Sequence, residues 1–402
     1  MTSNVVSTLI DQLADELGRS VVINDPVMQM LYASQHYGDE DPVRVKALLN
    51  HGAEPRARGH VLAQGVSTWT RAGLIPANDA IGMHARVCVP VRFEGALLGL
   101  LMVMDADGSI TTTELGRVNE VASEVAFALH DDGKRTGSGE EDEQIVLDLV
   151  GADRSARRTA VETLRTSGRA ERFTTVTALD IALAGTVTAT RPHIEIALRN
   201  ALSTRTRSNR ADAMFAVTGE SAVMLIGSQP PNPDPVERRA SEVLERAHEL
   251  ASGLFRCVAG IGSTGDGLYH AARSLSQARL ARRAAVLGLR DAVASWESLG
   301  AYGPLLSIPP EQLTEAALPD ELQQLRAVDA DGQLAATLRA YLDAAGNGPA
   351  AAKELHIHRT SLYYRLGRIR DLTGIDVADG RTRLAVHAGF AMLDIIGAEL
   401  KV

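Results

Sequence analysis

The chain predicts a multidomain α+β protein, with an α+β domain first, an α/β domain in the middle and an all-α bundle last. Three observations predict this. At 402 residues and 45% apolar content, the chain is long enough for more than one core. A segment without a single apolar residue, DDGKRTGSGEEDE at 131–143, breaks it as a charged, Gly/Ser-rich linker. The hydrophobic pattern also changes along the chain, from β-rich runs, to alternating strands and helices, to helical periodicity alone. The expected boundaries are 1–130, a linker at 131–143, 144–304 and 305–402.

The first domain opens with an amphipathic helix around Ser7 to Leu17, followed by VVINDPVMQMLYAS, in which Asn24-Asp25-Pro26 forms a turn. After a polar stretch, RVCVPVRFEGALLGLLMVM reads as a hairpin turning at Glu94-Gly95 between two β-rich runs, and a helix follows at Thr113 to Ala128. This order resembles a GAF domain, a fold related to PAS domains. The resemblance implies a GAF/PAS-like α+β fold that binds a small molecule or mediates dimerisation. Within the variable middle, 36–83, Tyr37, His60 and Trp69 are candidates to line a pocket, although packing or solvent exposure is the commoner fate of such residues.

From Gln144 to about Pro304 the expected order starts with a helix up to Ser167, a strand within Phe173 to Leu183 and a helix at Ile194 to Leu202. A hairpin, MFAVTGESAVMLIGS, the loop QPPNPDP and a helix at Val236 to Ala251 come next, then the strand RCVAGIG and a helix at Leu268 to Leu287. The alternation predicts a ferredoxin-like α/β domain with its sheet covered on one face. VAGIGSTGDGLYHAARSLSQARLARRAA and WESLGAYGPLL resemble the GGDEF-like domain of PucR/CdaR-type regulators, which implies a nucleotidyl-cyclase-like fold. A working cyclase needs a Gly-Gly-Asp-Glu-Phe hairpin whose backbone and carboxylates hold nucleotide and metal. The equivalent hairpin here is Val217-Thr218-Gly219-Glu220-Ser221, where only Glu220 agrees, and Asp180 is the one further carboxylate on offer. Catalysis is therefore not expected, and no catalytic residue is assigned. Gly260-Ile261-Gly262 lacks the Lys and Ser/Thr that complete a P-loop.

The terminal stretch PAAAKELHIHRTSLYYRLGRIRDLTG, 349–374, carries the strongest functional signal. Good helix formers follow Pro349 as far as Leu355, a turn falls at His356-Ile357-His358, and Leu362, Leu366, Ile369 and Thr373 recur at steps of four, three and four. This is a helix-turn-helix, flanked by helices at Leu334 to Ala345 and Arg383 to Ile396. The second helix leaves His358, Arg359, Thr360, Ser361, Tyr363, Tyr364, Arg365 and Arg368 to contact DNA, combining phosphate-pairing cations with hydroxyls that reach base edges. Between Asn347 and Arg383, seven basic residues stand against four acidic ones, so the segment is +3 in a chain of net charge −9. An amphipathic helix pair with a solvated basic face is the plain alternative. The run AAKELHIHRTSLYYRLGRI, followed by LTGIDVADGRTRLAVHAGFAML, resembles the Fis-like helix-turn-helix module of PucR/CdaR-type regulators. In that resemblance Arg359 and Tyr364 read bases, and Ser361, Arg365 and Arg368 meet phosphates. Two departures are His356 where such turns often have Gly, and Thr360-Ser361 and Tyr363-Tyr364 in the recognition helix, so no DNA sequence transfers from relatives.

The longest apolar run, Ala96 to Met104, is too short to span a bilayer, and the N-terminus has no basic segment leading into an apolar one. A cytoplasmic protein without membrane association is expected. Cys88 and Cys257 lie in apolar runs as small hydrophobes, without a disulfide. The eleven histidines are scattered, so neither metal nor cofactor is expected. The expected function is a sequence-specific transcription regulator, a homodimer or higher oligomer on double-stranded DNA, responsive to a small-molecule effector or a partner. Alternatives are a nucleotide-binding cyclase acting through the central domain and a sensor acting through protein partners.

Overall fold

The computed structural model describes residues 2–50, 52–133, 138–203, 213–228 and 236–400. The chain divides into two compact units, Met1–Arg282 and Arg283–Val402.

The first unit opens with α1 (Thr2–Leu17), β1 (Val21–Asn24), β2 (Met30–Ala33), α2 (Pro42–Leu49), α3 (Pro55–Ala63), β3 (Gly73–Ile75), β4 (Arg86–Phe93), β5 (Ala96–Met104) and α4 (Thr112–Gly133). Its five strands form an antiparallel sheet in the order β2-β1-β5-β4-β3. The hairpin between β4 and β5 turns where the sequence places it, with Glu94 at φ 48° and Gly95 at φ 85°, the two positive angles of a type I′ turn. Both faces of this sheet are covered. Val87, Val89, Val91, Leu101 and Val103 pack under α1 and α4, while Cys88, Leu100 and Met102 face α2 and α3. Burial on both sides is why these strands read as continuous apolar runs rather than as alternation.

The unit continues with α5 (Ser138–Val150), α6 (Arg154–Thr166), β6 (Thr175–Ala184), α7 (Arg191–Leu202), β7 (Ala213–Thr218), β8 (Ser221–Ser228), α8 (Val236–Ala251), β9 (Arg256–Ile261), β10 (Gly265–Asp266) and α9 (Ala271–Val286). The order β9-β6-β8-β7, every neighbour antiparallel, is the split βαβ arrangement of a ferredoxin-like sheet, and β10 adds to β6. The expectation of a sheet covered on one face is corrected. Val176, Ala178, Val223 and Leu225 pack in one cluster with α5, α6 and α9, and Leu179 and Ile181, pointing to the opposite face, are also fully buried. The single helix expected up to Ser167 is two, broken at Gly151–Asp153, where Asp153 accepts from Ser155 N and caps α6. The linker expected at 131–143 is corrected, because its described residues are helical: 131–133 end α4 and 138–143 begin α5, while 134–137 and the loop QPPNPDP lie outside the described residues.

The second unit holds β11 (Val293–Ser295), α10 (Tyr302–Leu306), α11 (Asp320–Val328), α12 (Gln333–Asp343), α13 (Gly348–Glu354), α14 (Arg359–Thr373) and α15 (Gly380–Glu399). Leu322, Leu325, Leu334, Leu338, Leu342, Leu362, Leu366, Ile369, Val386 and Phe390 form its core with Ala351 and Ala352 of short α13, so each helix from α11 to α15 contributes to one bundle.

Candidate DNA-recognition site

The site is built on the turn between α13 and α14. Asn347 caps α13, its side-chain oxygen accepting from Ala350 N at 3.1 Å, with Gly348 and Pro349 in the first turn. At the other end Ile357 N donates to Ala352 O at 3.0 Å and His356 N to Lys353 O at 3.2 Å. Those two bonds make a Schellman stop, and they require the residue between them to be left-handed. His356 takes that position at φ 54°. The chain then re-enters a helix at His358, whose Nδ1 accepts from Thr360 N at 3.3 Å. That acceptor role needs an unprotonated Nδ1.

From this start α14 sorts its side chains as the spacing dictates. Leu362, Leu366, Ile369 and Thr373 are buried against the bundle. His358, Arg359, Thr360, Ser361, Tyr363, Tyr364 and Arg368 are exposed, Tyr364 at 70%. Gly374, at φ 76°, ends the helix by donating to Arg370 O. Thr360, Ser361, Tyr364, Arg365 and Arg368 line one groove with Asp329, Ala330 and Asp331 of the α11–α12 connection and Gln333 at the start of α12.

Two of the sequence-derived residues have intramolecular work. Arg365 is half-buried, its guanidinium donating to Gln333 Oε1 at 2.8 Å and to Thr337 Oγ1 at 3.2 Å, which ties α14 to α12. Tyr363 lays its hydroxyl end over the first turn of α13, so close that a Cβ at Gly348 would stand 2.4 Å from it. Neither contact was legible in the sequence, because both depend on how α14 crosses its neighbours. The Asn347 cap was also missed, since the sequence reading starts this helix at Pro349; an Asn directly ahead of Gly-Pro is the signal that could have found it. Other exposed cations of this segment are Lys353, Arg370 and Arg381.

The bundle beneath is clamped by charge. Arg339 of α12 and Asp394 of α15 form a two-pronged ion pair, and Tyr302 donates to the same carboxylate at 2.7 Å. Burial works to raise the Asp394 carboxyl, but the bonds from Arg339 and Tyr302 outweigh it and hold it below the ordinary aspartate value. Burial and the bond to Asp394 push the Tyr302 hydroxyl up to about 12.

In the central domain the two carboxylates of interest have different settings. Asp180 is buried on β6 and receives Arg282 Nε at 2.5 Å, whereas Glu220 is exposed at the β7–β8 turn beside Gly219 at φ 62°. The Gly260 and Gly262 pair serves packing. A Cβ at Gly260 would stand 1.9 Å from Ala278 O, and one at Gly262 2.0 Å from Ser274 O, so the glycines admit the backbone of α9 against the sheet. Among the described residues no group of three or more His, Cys, Asp or Glu side chains is gathered to hold a metal. No described helix is long and apolar enough to cross a membrane. Cys88 and Cys257 are buried free thiols, each pushed up to about 12 by burial.

In the first domain, Tyr37, His60 and Trp69 do not line the main apolar cavity. Tyr37 bonds Asp15, His60 bonds Pro76 O at 3.0 Å, and Trp69 packs over Gly73. The cavity was missed because its walls come from α2 and α3, which the sequence did not announce.

Comparison with known proteins agrees with this geometry. Residues 334–392 match the PucR C-terminal helix-turn-helix domain, and residues 172–284 match the GGDEF-like domain. The chain is 22% identical over 404 residues, 96% of each chain, to the proline-responsive transcriptional activator PutR of Bacillus subtilis. It is 37% identical over 81 residues, 20% of each chain, to the carbohydrate diacid regulator of Escherichia coli. A solved regulator of polyketide synthase expression from Bifidobacterium adolescentis aligns over 65% of this chain and 99% of that one, at 17% identity and a TM-score of 0.27, too loose a superposition to carry an argument.

Proposed function

We propose that this chain, a DNA-binding transcriptional regulator of the PucR/CdaR type, acts in the cytoplasm as a homodimer or higher oligomer that reads paired half-sites through α14. The observation that carries this reading is the exposed first two turns of α14, with Arg359, Thr360, Ser361 and Tyr364 presented to solvent on a helix whose opposite face is locked into the bundle. Recognition helices enter the major groove by this end, where free backbone N–H groups also favour phosphate.

In this reading Arg359 and Tyr364 face base edges, while Ser361 and Arg368 meet phosphates, with Thr360 beside them. His358 caps the helix. Arg365, engaged with Gln333 and Thr337, and Tyr363, laid on α13, set the angle at which α14 is presented. The response to a small molecule is assigned to the first domain, and the central domain serves dimerisation or signal relay without turnover.

The test is a pair of substitutions measured on specific and random duplexes at fixed salt. Arg359→Ala should cost about 1–3 kcal/mol on the specific site and little on random DNA, whereas Arg368→Ala should weaken both alike and lower the salt slope. Equal loss of discrimination in the two variants contradicts the assignment.

A further inference from the structure

Between the sheet and α2 and α3 the first domain has a small cavity of about 50 Å³ that opens to solvent. Its wall is apolar, with Val22, Met28, Val43, Val61, Met83 and Met102, yet three arginines, Arg44, Arg58 and Arg86, reach it while each is less than a tenth exposed. Burying a guanidinium costs free energy unless its charge is matched and its donors are used.

The three are matched unequally. Arg86 is paired with the buried carboxylate of Asp41. Arg44 donates to Ser34 O at 2.9 Å and Val21 O at 3.4 Å, and Asp39, Glu40 and Asp41 lie near enough to offset part of its charge, but its Nε is buried without a hydrogen-bond partner. Arg58 donates Nε to Ala53 O and Nη1 to Asn200 Oδ1, both at 2.7 Å, and among the described residues no carboxylate is within ion-pair distance of it. Burial and the like charge of Arg246 pull its guanidinium down to about 10, against a weaker opposite pull from Asp25, so it remains a cation at neutral pH. A small apolar cavity thus holds cationic donors that the chain itself leaves incompletely matched.

We propose that this cavity binds a compact organic acid, its carboxylate received by the Arg58 and Arg44 guanidiniums and its apolar body packed against Val22, Val61, Met83 and Met102. A carboxylate supplies the acceptor oxygens that a planar guanidinium fork fits, and the apolar wall selects a hydrocarbon body over a polyhydroxylated one. The same arginine links the cavity to the central domain. Asn200, which accepts from Arg58, sits on α7, and α3 meets α8 so closely that a Cβ at Gly59 would stand 2.5 Å from Glu249 O. A ligand that draws Arg58 inward therefore acts on the contact of α3 with α7 and α8. This deepens the small-molecule response proposed above and rests on that reading for its consequence, whereas the binding itself stands apart from DNA recognition.

The experiment follows the thermal unfolding of the full chain with acids from acetate through isovalerate to benzoate, each against its uncharged amide, at about 10 mM. Isovalerate should raise Tm by at least about 2 °C and isovaleramide should not. Arg58→Gln should abolish the difference, and Arg58→Lys should keep part of it. Equal shifts for acid and amide in the wild type, or no shift by any acid of the series, overturns the proposal without reference to any variant. DNA binding by the same preparation separates the two readings: a chain that binds DNA but not the acids sinks only this inference, and one that binds an acid but no DNA sinks only the proposed function.

Discussion

His356 holds the turn at a local cost. Its φ of 54° puts a residue with a Cβ where an L-residue is disfavoured, and both Schellman bonds of α13 depend on that angle. His356→Gly should therefore stabilise the protein by about 1 kcal/mol, read from chemical unfolding, and a loss of stability would mean that the imidazole makes a contact of its own. Position 358 shows the other side of residue-scale reading. The sequence marks it as the start of the recognition helix, and its Nδ1 caps that helix, a role usually taken by Ser, Asp or Asn. Arg359, Thr360, Ser361 and Tyr364 were legible as exposed from spacing alone, because their neighbours Leu362 and Leu366 fix which face is buried. Arg365 was not, since its brace to Gln333 and Thr337 spans 32 and 28 residues.

Elements were legible where local chemistry decides them. Both tight hairpins, at Glu94-Gly95 and Gly219-Glu220, announce themselves through turn residues, and α14 through its apolar steps. α3 did not, because PRARGHVLA has little amphipathic pattern and buries Arg58 and Gly59, whose places are set by the cavity and by α8. Gly260 is a similar case, a residue of an incomplete phosphate-loop pattern that serves as a close approach. Gly260→Ala should destabilise the protein by about 1–3 kcal/mol, since the atoms it would strike belong to the α9 backbone and cannot rotate away; an unchanged unfolding midpoint would refute this. The α12–α15 clamp yields a pH prediction. Asp394 has a folded pKa below its unfolded value of about 3.8, so its contribution is complete above that pH and is lost as pH falls through the depressed value. Asp394→Asn should cost about 1 kcal/mol at neutral pH, limited by the partial exposure of Arg339, and the difference from wild type should shrink below about pH 3.8. A cost that does not change with pH would assign the effect to packing.

At the scale of the whole molecule, the DNA-reading segment is locally positive in an acidic protein. The chain carries −9 overall while 347–383 is +3, so the segment attracts phosphate while the net charge opposes indiscriminate binding. A single helix-turn-helix of this size gives modest affinity, which is why paired half-sites and an oligomer belong to the same account. The sequence disclosed the order of the folds, because changes of periodicity are local signals. It did not disclose the cavity of the first domain, whose walls meet only after folding. The measurement that tests the central claim most directly is selection of duplexes from sheared genomic DNA by the purified full chain, run beside an Arg359→Ala/Tyr364→Ala variant at the same salt. The account predicts that the wild type alone enriches a motif of two spaced half-sites; an unenriched pool from the wild type, or the same motif from the variant, would contradict it.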